Sequence, residues 1–268
     1  MLTILATLLF SCGSDCPNFL LNVASGADQK DIVHRAQQAY YNLRSEGLIS
    51  YRCTVQPDWS FAYSKIEADS IGLQLKPFLE GTDFQVSVGP EGAATVSRQS
   101  RIPPPTQLIA DRLRMVTAGV ENTLVGFFGV MAMFVFRSPV PAADSDFHFQ
   151  ESDGVYRISQ EQGAAVLLIT LNHDLTCKEL TSKLPQVEAT VRPRFHRSTK
   201  GYVLDGYQSR LQATSNTSSQ VTIILDGTIE YLEIEGFKLP AVFNVKVVTP
   251  ASTAQMKYSF GRYEVSRR

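Results

Sequence analysis

The sequence predicts an α+β protein in which a curved antiparallel β-sheet packs against a few helices. The first observation is the alternation of apolar and polar residues late in the chain, where Phe243, Val245 and Val247 alternate with Asn244 and Lys246. Such a period of two places the apolar side chains on one face of a strand and is typical of antiparallel sheets. The other two observations are segments with helical periodicity in the first half and an uncharged apolar stretch in the middle.

Composition and charge narrow the class of protein. The chain has 268 residues, of which 44% are hydrophobic and 19% charged, so it has enough apolar side chains to bury a core. Its 25 Lys and Arg nearly balance its 26 Asp and Glu, which leaves a formal charge of -1. No general positive field is available to attract a phosphate backbone, and we expect no nucleic-acid partner.

The N-terminal segment predicts export. Residues 1–10 are apolar and uncharged, too short to span a bilayer and of the length of a signal core. We assign residues 1–11 to an export signal, Cys12 to a lipid anchor as in bacterial lipoprotein signals, and residues 12–27 to a tether. A plain secretory signal and a buried first strand are the alternatives.

Three helices are predicted in the first half. The first is amphipathic, begins at Asp28, includes apolar positions from Ile32 to Leu43 and is ended by Gly47. A second, short helix is predicted within residues 65–79. A third is predicted over residues 108–124, because its apolar side chains repeat on one face.

The third helix runs into an uncharged apolar stretch, Leu124–Phe136. A membrane-spanning helix needs about 20 such residues, so we expect this stretch to be buried in the protein or placed at an interface. Phe and Met side chains adapt to flexible apolar chains, and a helix-covered sheet can enclose a cavity. The alternative is that the stretch simply completes the core. The candidate cavity residues are Phe127, Phe128, Met131, Met133, Phe134, Phe136, Phe243 and Val245.

Strands and turns are predicted from alternation and from turn residues. The clearest strands cover residues 48–55, 84–88, 187–191, 243–247 and 256–260. The dipeptide Asp226-Gly227 lies between two β-rich runs and predicts a tight hairpin turn, because these residues suit a type I′ turn.

The sequence contains few patterns of residues that indicate catalysis or metal binding. No nucleophile elbow, zinc-protease motif, phosphate-binding loop or paired CxxC occurs, so we expect no catalytic site, no metal and no cofactor. His173-Asp174 is interpreted as a turn. Cys53 and Cys177 either form a disulfide in an oxidising compartment or are two separate buried thiols.

A basic cluster lies between Val191 and Gly201. It could contact a lipid headgroup or a carboxylate of a partner, or form a solvated loop. Its members are Arg192, Arg194, Arg197 and Lys200.

The order of elements resembles the superfamily of outer-membrane lipoprotein carriers and receptors, the LolA/LolB-like fold. The shared order is an export signal, a long helix, strands, an apolar helical insertion and a run of antiparallel strands. The most specific stretch is the acidic-Gly-Phe-x-Leu-Pro turn within Ile229–Pro240, followed by strands at Ala241–Val248 and Met256–Val265.

This resemblance implies a half-barrel sheet wrapped over helices, with a hydrophobic cavity for acyl chains. We therefore expect a single carrier-like domain over residues 28–268, in the periplasm or at the outer membrane and anchored there through Cys12. The expected function is non-catalytic binding of a lipid or of lipoprotein acyl chains. The alternative is an envelope protein-protein interaction module with a filled core.

Overall fold

The structure of the chain is a computed structural model that describes three stretches, residues 26–61, 70–214 and 220–268. The predicted export signal at residues 1–11 and the predicted lipid anchor Cys12 lie outside these stretches. Both therefore stay predictions.

Twelve strands and three longer helices make up the described part of the chain. The helices are α1 (Gly26–Gln38), α2 (Ser70–Glu80) and α3 (Gln107–Met131), and α3 continues as a π-helical turn, Ala132–Phe136. The strands are β1 (Leu48–Pro57), β2 (Thr82–Val88), β3 (Ala94–Ser100), β4 (His148–Ser152), β5 (Val155–Gln162), β6 (Ala165–Asn172), β7 (Cys177–Leu184), β8 (Val187–Ser198), β9 (Gly201–Thr214), β10 (Gln220–Ile234), β11 (Phe237–Val248) and β12 (Thr253–Arg267).

All twelve strands belong to one antiparallel sheet, which confirms the predicted class of a sheet with helices. The strand order is β3-β2-β1-β12-β11-β10-β9-β8-β7-β6-β5-β4. Neighbours are consecutive in the chain except where β1 pairs with β12, so two meanders are joined by the pairing of the first and last strands. The helix α3 connects the two meanders in sequence, between β3 and β4.

Helix α1 differs from its prediction at both ends. It begins at Gly26, so the last two residues of the predicted tether belong to the helix. It ends at Gln38 because the next residues pair with β9: the Tyr41 amide donates to the Tyr202 carbonyl (3.0 Å) and the Tyr202 amide donates to the Ala39 carbonyl (2.8 Å). The prediction of a helix through Leu43 was therefore wrong. The backbone groups of Ala39 and Tyr41 bond to β9 instead of to groups within the helix.

Helix α3 is the central packing element. Its N-cap is Thr106, whose hydroxyl accepts a hydrogen bond from the Ile109 amide at 3.4 Å. Much of the helix is buried, including nearly all of the predicted apolar stretch Leu124–Phe136. The expectation that this stretch is buried is therefore confirmed.

We call the face of the sheet that packs against α3 the inner face. An aromatic cluster fills the contact between the two. The Phe127 ring lies 4.3 Å from that of Phe243 and 5.4 Å from that of Phe260. Phe243 also stacks on Tyr207 and on Tyr258, with ring centroids 6.0 Å and 6.1 Å apart. Such large aromatic side chains contribute much of the buried apolar area of a core.

The predicted hairpin at Asp226-Gly227 was wrong, because both residues lie in the middle of β10. Glycine is needed there for packing: a Cβ atom at Gly227 would lie only 2.5 Å from Cε2 of Phe243. The hairpin turn occurs at the end of the strand instead. Glu235 and Gly236 have φ angles of 50° and 86°, as a type I′ turn requires.

Replacing Gly227 with Ala should destabilise the fold. The new methyl group would press on Phe243, which is fully buried among other rings, so we expect a loss of about 1–3 kcal/mol in the free energy of unfolding measured with urea. The control is Gly261→Ala in β12, where a Cβ would meet no heavy atom within 4 Å. Equal stability of the two variants would contradict this account of the core.

Candidate functional site

A cleft of about 960 Å³ opens beside the C-terminal part of α3 and its π-helical turn. Its other walls come from the end of α1 with the segment that follows it, from the turn between β2 and β3, and from the segment after the π-helical turn. Inner-face residues of β5, β6 and β7, together with Lys200 between β8 and β9, complete the lining. The cleft therefore lies on a part of α3 that the aromatic cluster does not cover.

The helical wall of the cleft is an apolar stripe. Val125, Gly129 and Met133 all line it, and their spacing of four residues places them on one face of the helix. From the sheet, Leu167 of β6 and Leu180 of β7 line the same cleft. The interior is thus bounded mainly by apolar groups from the helix and the sheet, with Gln160 of β5 as a polar neighbour of Leu167.

Gly129 gives the cleft its depth. A Cβ atom built on Gly129 would meet no heavy atom within 4 Å, other than those of its own helix and neighbours. Glycine inside a helix costs about 1 kcal/mol relative to alanine, so this position lowers helix stability without relieving any clash. What it does provide is space along the stripe.

Tyr40 fixes the wall that follows α1. Its hydroxyl donates to the Leu175 carbonyl at 2.8 Å and accepts from the Cys177 amide at 2.6 Å. Its ring meets Phe195 edge to face at 5.3 Å. Burial raises the pKa of the Tyr40 hydroxyl, so it remains a neutral donor and acceptor. The two hydrogen bonds of the Tyr40 hydroxyl therefore hold this wall to the backbone of the turn between β6 and β7.

A second contact closes the wall between α1 and the segment after the π-helical turn. The Gln37 side-chain amide donates to the Pro141 carbonyl at 2.6 Å. Pro139, Val140 and Pro141 all line the cleft, and Val140 is buried. The two prolines follow the π-helical turn, and proline does not continue a helix.

The rim of the cleft is charged. Arg44 and Arg137 both reach the carboxylate of Glu91, at 3.2 Å and 3.1 Å, and all three side chains are about half exposed. Elsewhere on the rim Lys200 pairs with Glu46 at 2.5 Å. The cleft therefore combines an apolar interior with a polar mouth.

The predicted cavity residues divide into two groups. Phe128, Met133 and Phe136 line the cleft. The others do not: Phe127 and Phe243 form the aromatic cluster, and Val245 is buried in β11.

Two further predicted residues are also core residues. Phe134 packs edge to face on Phe195 at 6.0 Å, and Met131 is buried with its sulfur 3.9 Å from the Tyr231 hydroxyl. The expected opening between the apolar stretch and the late strands is therefore filled. The large aromatic side chains occupy that space, whereas the cleft lies beside Val125, Gly129 and Met133, with Phe128 and Phe136 at its sides.

The two internal cysteines are free and buried. Cys53 lies in β1 and Cys177 begins β7, with β12, β11, β10, β9 and β8 between them in the sheet. A disulfide needs Cα atoms within about 7 Å, which such a separation does not allow. Of the two predicted alternatives, the structure has the separate buried thiols.

The predicted basic cluster is not a loop. Its three arginines lie in β8, and two of them pair across strands: Arg192 with Glu179 of β7 at 2.7 Å, and Arg194 with Asp226 of β10 at 2.9 Å. Cross-strand opposite charges stabilise neighbouring strands modestly. Only its last member, Lys200, reaches the cleft.

Two other findings concern the described residues as a whole. Gln107–Phe136 is the one described helix long and apolar enough to cross a membrane, and 61% of its most apolar 18-residue window is buried. No group of three or more His, Cys, Asp or Glu that could hold a metal ion occurs within the described stretches.

Comparison of the chain with protein-family models, with curated proteins and with solved structures finds no match. The resemblance to lipoprotein carriers therefore stays a prediction.

Native alkylation should spare both internal cysteines. Burial raises the pKa of the Cys53 thiol and of the Cys177 thiol to about 12 each, so at pH 8 nearly all of each thiol is in the unreactive neutral form. We expect iodoacetamide to modify neither residue in the native full chain and both after unfolding in guanidinium, as read by peptide mass spectrometry. A disulfide-linked peptide pair containing both residues would contradict the structure.

Proposed function

We propose that this protein binds a hydrophobic ligand, a lipid or a protein-attached acyl chain, in the cleft beside α3. The observation that carries the proposal is the unfilled apolar stripe of Val125, Gly129 and Met133 on the C-terminal part of α3, which is otherwise buried. Apolar surface left uncovered in a concave site favours an apolar occupant, because each buried methylene contributes about 0.8 kcal/mol. The proposed role is binding, with no catalytic step.

The dimensions of the cleft support this ligand class. Small-molecule sites commonly have volumes of about 300–1,000 Å³, with mostly apolar linings and a few polar groups at fixed positions. The cleft has about 960 Å³ and the same division, since its interior is apolar and its rim carries arginine, lysine and glutamate. Met133 is suited to such a site because its flexible thioether adapts to ligands of different shape.

The finer architecture belongs to the same proposal. The sheet has three strands, β1 to β3, on one side of the β1–β12 pairing and nine strands on the other. We propose that a sheet of this width wraps α3 as a half-barrel. In that arrangement the cleft is the space between α3 and the β5–β7 limb of the sheet. The helix then serves as one wall of the cavity.

The cellular setting follows from the N-terminal prediction. With an export signal at residues 1–11 and a lipid anchor at Cys12, the domain would be held at the periplasmic side of a membrane. We propose that it acts there as a receptor or local binder of its ligand, because an anchored protein does not diffuse freely between membranes.

A second candidate function is an envelope protein-protein interaction module. Two observations favour it: the space between Phe127 and Phe243 is filled, and Leu108 and Met115 are exposed on one face of α3, at 55% and 68% of their surface. On this hypothesis the purified protein takes up no amphiphile, and the cleft has no role.

Filling the cleft from the helix should weaken ligand binding. We expect Gly129→Leu to weaken binding of the uncharged probe N-phenyl-1-naphthylamine about tenfold or more, because the new side chain occupies the space along the stripe. Fluorescence titration of the purified full chain measures the affinity, and native mass spectrometry shows whether lipid co-purifies with it.

The matched control is Gly119→Leu. Gly119 lies in the same helix, is exposed, does not line the cleft and likewise has no heavy atom within 4 Å of a built Cβ. Both substitutions replace a helical glycine, so both should leave thermal stability equal or higher. Unchanged probe binding in the Gly129 variant, or no uptake by the wild type, would overturn the proposed function.

A further inference from the structure

We propose that the ligand is an amphiphile with an anionic headgroup, and that Arg44 and Arg137 bind this headgroup in place of the Glu91 carboxylate. The inference rests on the proposed function and specifies its ligand. Glu91 then acts in the free protein as an internal substitute for the ligand anion.

The geometry at the rim has one carboxylate oxygen shared by two guanidinium groups. Glu91 Oε2 lies 3.2 Å from Arg44 Nη1 and 3.1 Å from Arg137 Nη2. Both arginines line the cleft, whereas Glu91 lies outside its lining, on the turn between β2 and β3. The carboxylate therefore reaches the arginines from beside the cleft, and a ligand would reach them from within it.

The local charge favours the binding of an anionic ligand. Two positive groups share one negative group, which leaves one positive charge in excess among these three side chains. The planar guanidinium presents several N–H donors that match the oxygens of a carboxylate or a phosphate. An anionic headgroup would satisfy donors that the single Glu91 oxygen leaves unused.

The exchange of one anion for another is energetically accessible. The side chains of Arg44, Arg137 and Glu91 are 46%, 40% and 57% exposed. Ion pairs with this exposure contribute little to stability, so the displacement of Glu91 costs little. A buried pair would resist such exchange.

Arg137 is positioned independently of the Glu91 side chain. Its Nε and Nη2 atoms both donate to the main-chain carbonyl of Glu91, at 3.1 Å and 2.5 Å. A substitution that changes only the Glu91 carboxylate leaves these two hydrogen bonds in place. The arginine should then keep its position and have its charge available.

The charged rim adjoins the apolar interior directly. Arg137 follows Phe136 in the chain, and both line the cleft. A ligand whose anion contacts Arg137 can therefore place its apolar chain along the interior. This adjacency favours an amphiphile over a free inorganic anion.

The test compares ligands of equal chain length. Dodecanoate and dodecyl phosphate, each below its critical micelle concentration, and dodecanol, below its solubility limit, compete with N-phenyl-1-naphthylamine for the purified full chain. Inorganic phosphate alone is a fourth competitor. The variants are Glu91→Gln and Arg137→Gln. The matched control is Glu179→Gln, which makes the same change in charge at a carboxylate that pairs with Arg192 and does not line the cleft.

We expect the wild type to bind both anionic amphiphiles more tightly than dodecanol. Glu91→Gln should strengthen anionic binding by about three- to fivefold relative to Glu179→Gln, with dodecanol unchanged, and Arg137→Gln should remove most of the preference. High salt should reduce the preference, because these charges are exposed. Inorganic phosphate should not displace the probe.

Several outcomes would overturn the inference. If Glu91→Gln weakens anionic binding, or matches the control, Glu91 does not compete with the ligand. Equal affinity for dodecanol and dodecanoate would reject the headgroup site and leave the apolar cleft intact. Displacement by inorganic phosphate would indicate a simple anion site. If no amphiphile binds, dodecanol included, the proposed function itself fails.

Discussion

The removal of one apolar helix from water is the constraint on which the rest of this structure depends. Leu124–Phe136 carries no charge, and each fully buried Phe, Leu or Met side chain contributes about 1.5–3 kcal/mol relative to exposure. The sheet meets this demand by joining its two meanders through β1 and β12, so that a continuous inner face covers the helix. Phe243 of β11, Tyr258 of β12 and Phe127 of α3 interlock at the centre of that contact.

The stretch Leu124–Phe136 is apolar on all sides and must be covered on all sides, and at the cleft the protein's own cover of this stretch is incomplete. Val125, Gly129 and Met133 of this stretch line the cleft, and there is open space beside Gly129. Fully exposed, such a stripe would be an aggregation hazard; recessed in a cleft, it is the surface on which the proposed ligand would bind. The lipid hypothesis thus follows from the same physical demand that organises the core.

The sequence patterns predicted elements that depend on local periodicity. The alternating late strands and the burial of the apolar stretch were predicted correctly. The errors share a cause. Gly227 looked like a turn residue but is required by the Phe243 ring, and α1 ends early because its last residues bond to β9. Tertiary contacts of this kind leave no local pattern.

The candidate site was predicted in part for a related reason. Large aromatic side chains were taken as cavity residues, yet rings such as Phe127 and Phe134 are the groups that fill space best. A helical glycine with no clash to relieve is the better indicator of open space, and Gly129 was present in the apolar stretch. The rim could not be predicted, because Arg44 and Glu91 are brought together only by the packing of their turns.

The π-helical turn links the two halves of the site. At this turn the Val135 carbonyl accepts a hydrogen bond from the Leu43 amide at 2.9 Å, which positions the residue before Arg44. Gly92, which follows Glu91, packs so closely on Phe136 that a Cβ there would lie 3.0 Å from it. The widened turn thus fixes both rim segments while Met133 and Phe136 form part of the interior. Because one turn positions both, a headgroup bound at the rim and a chain bound in the interior would be held in a fixed register.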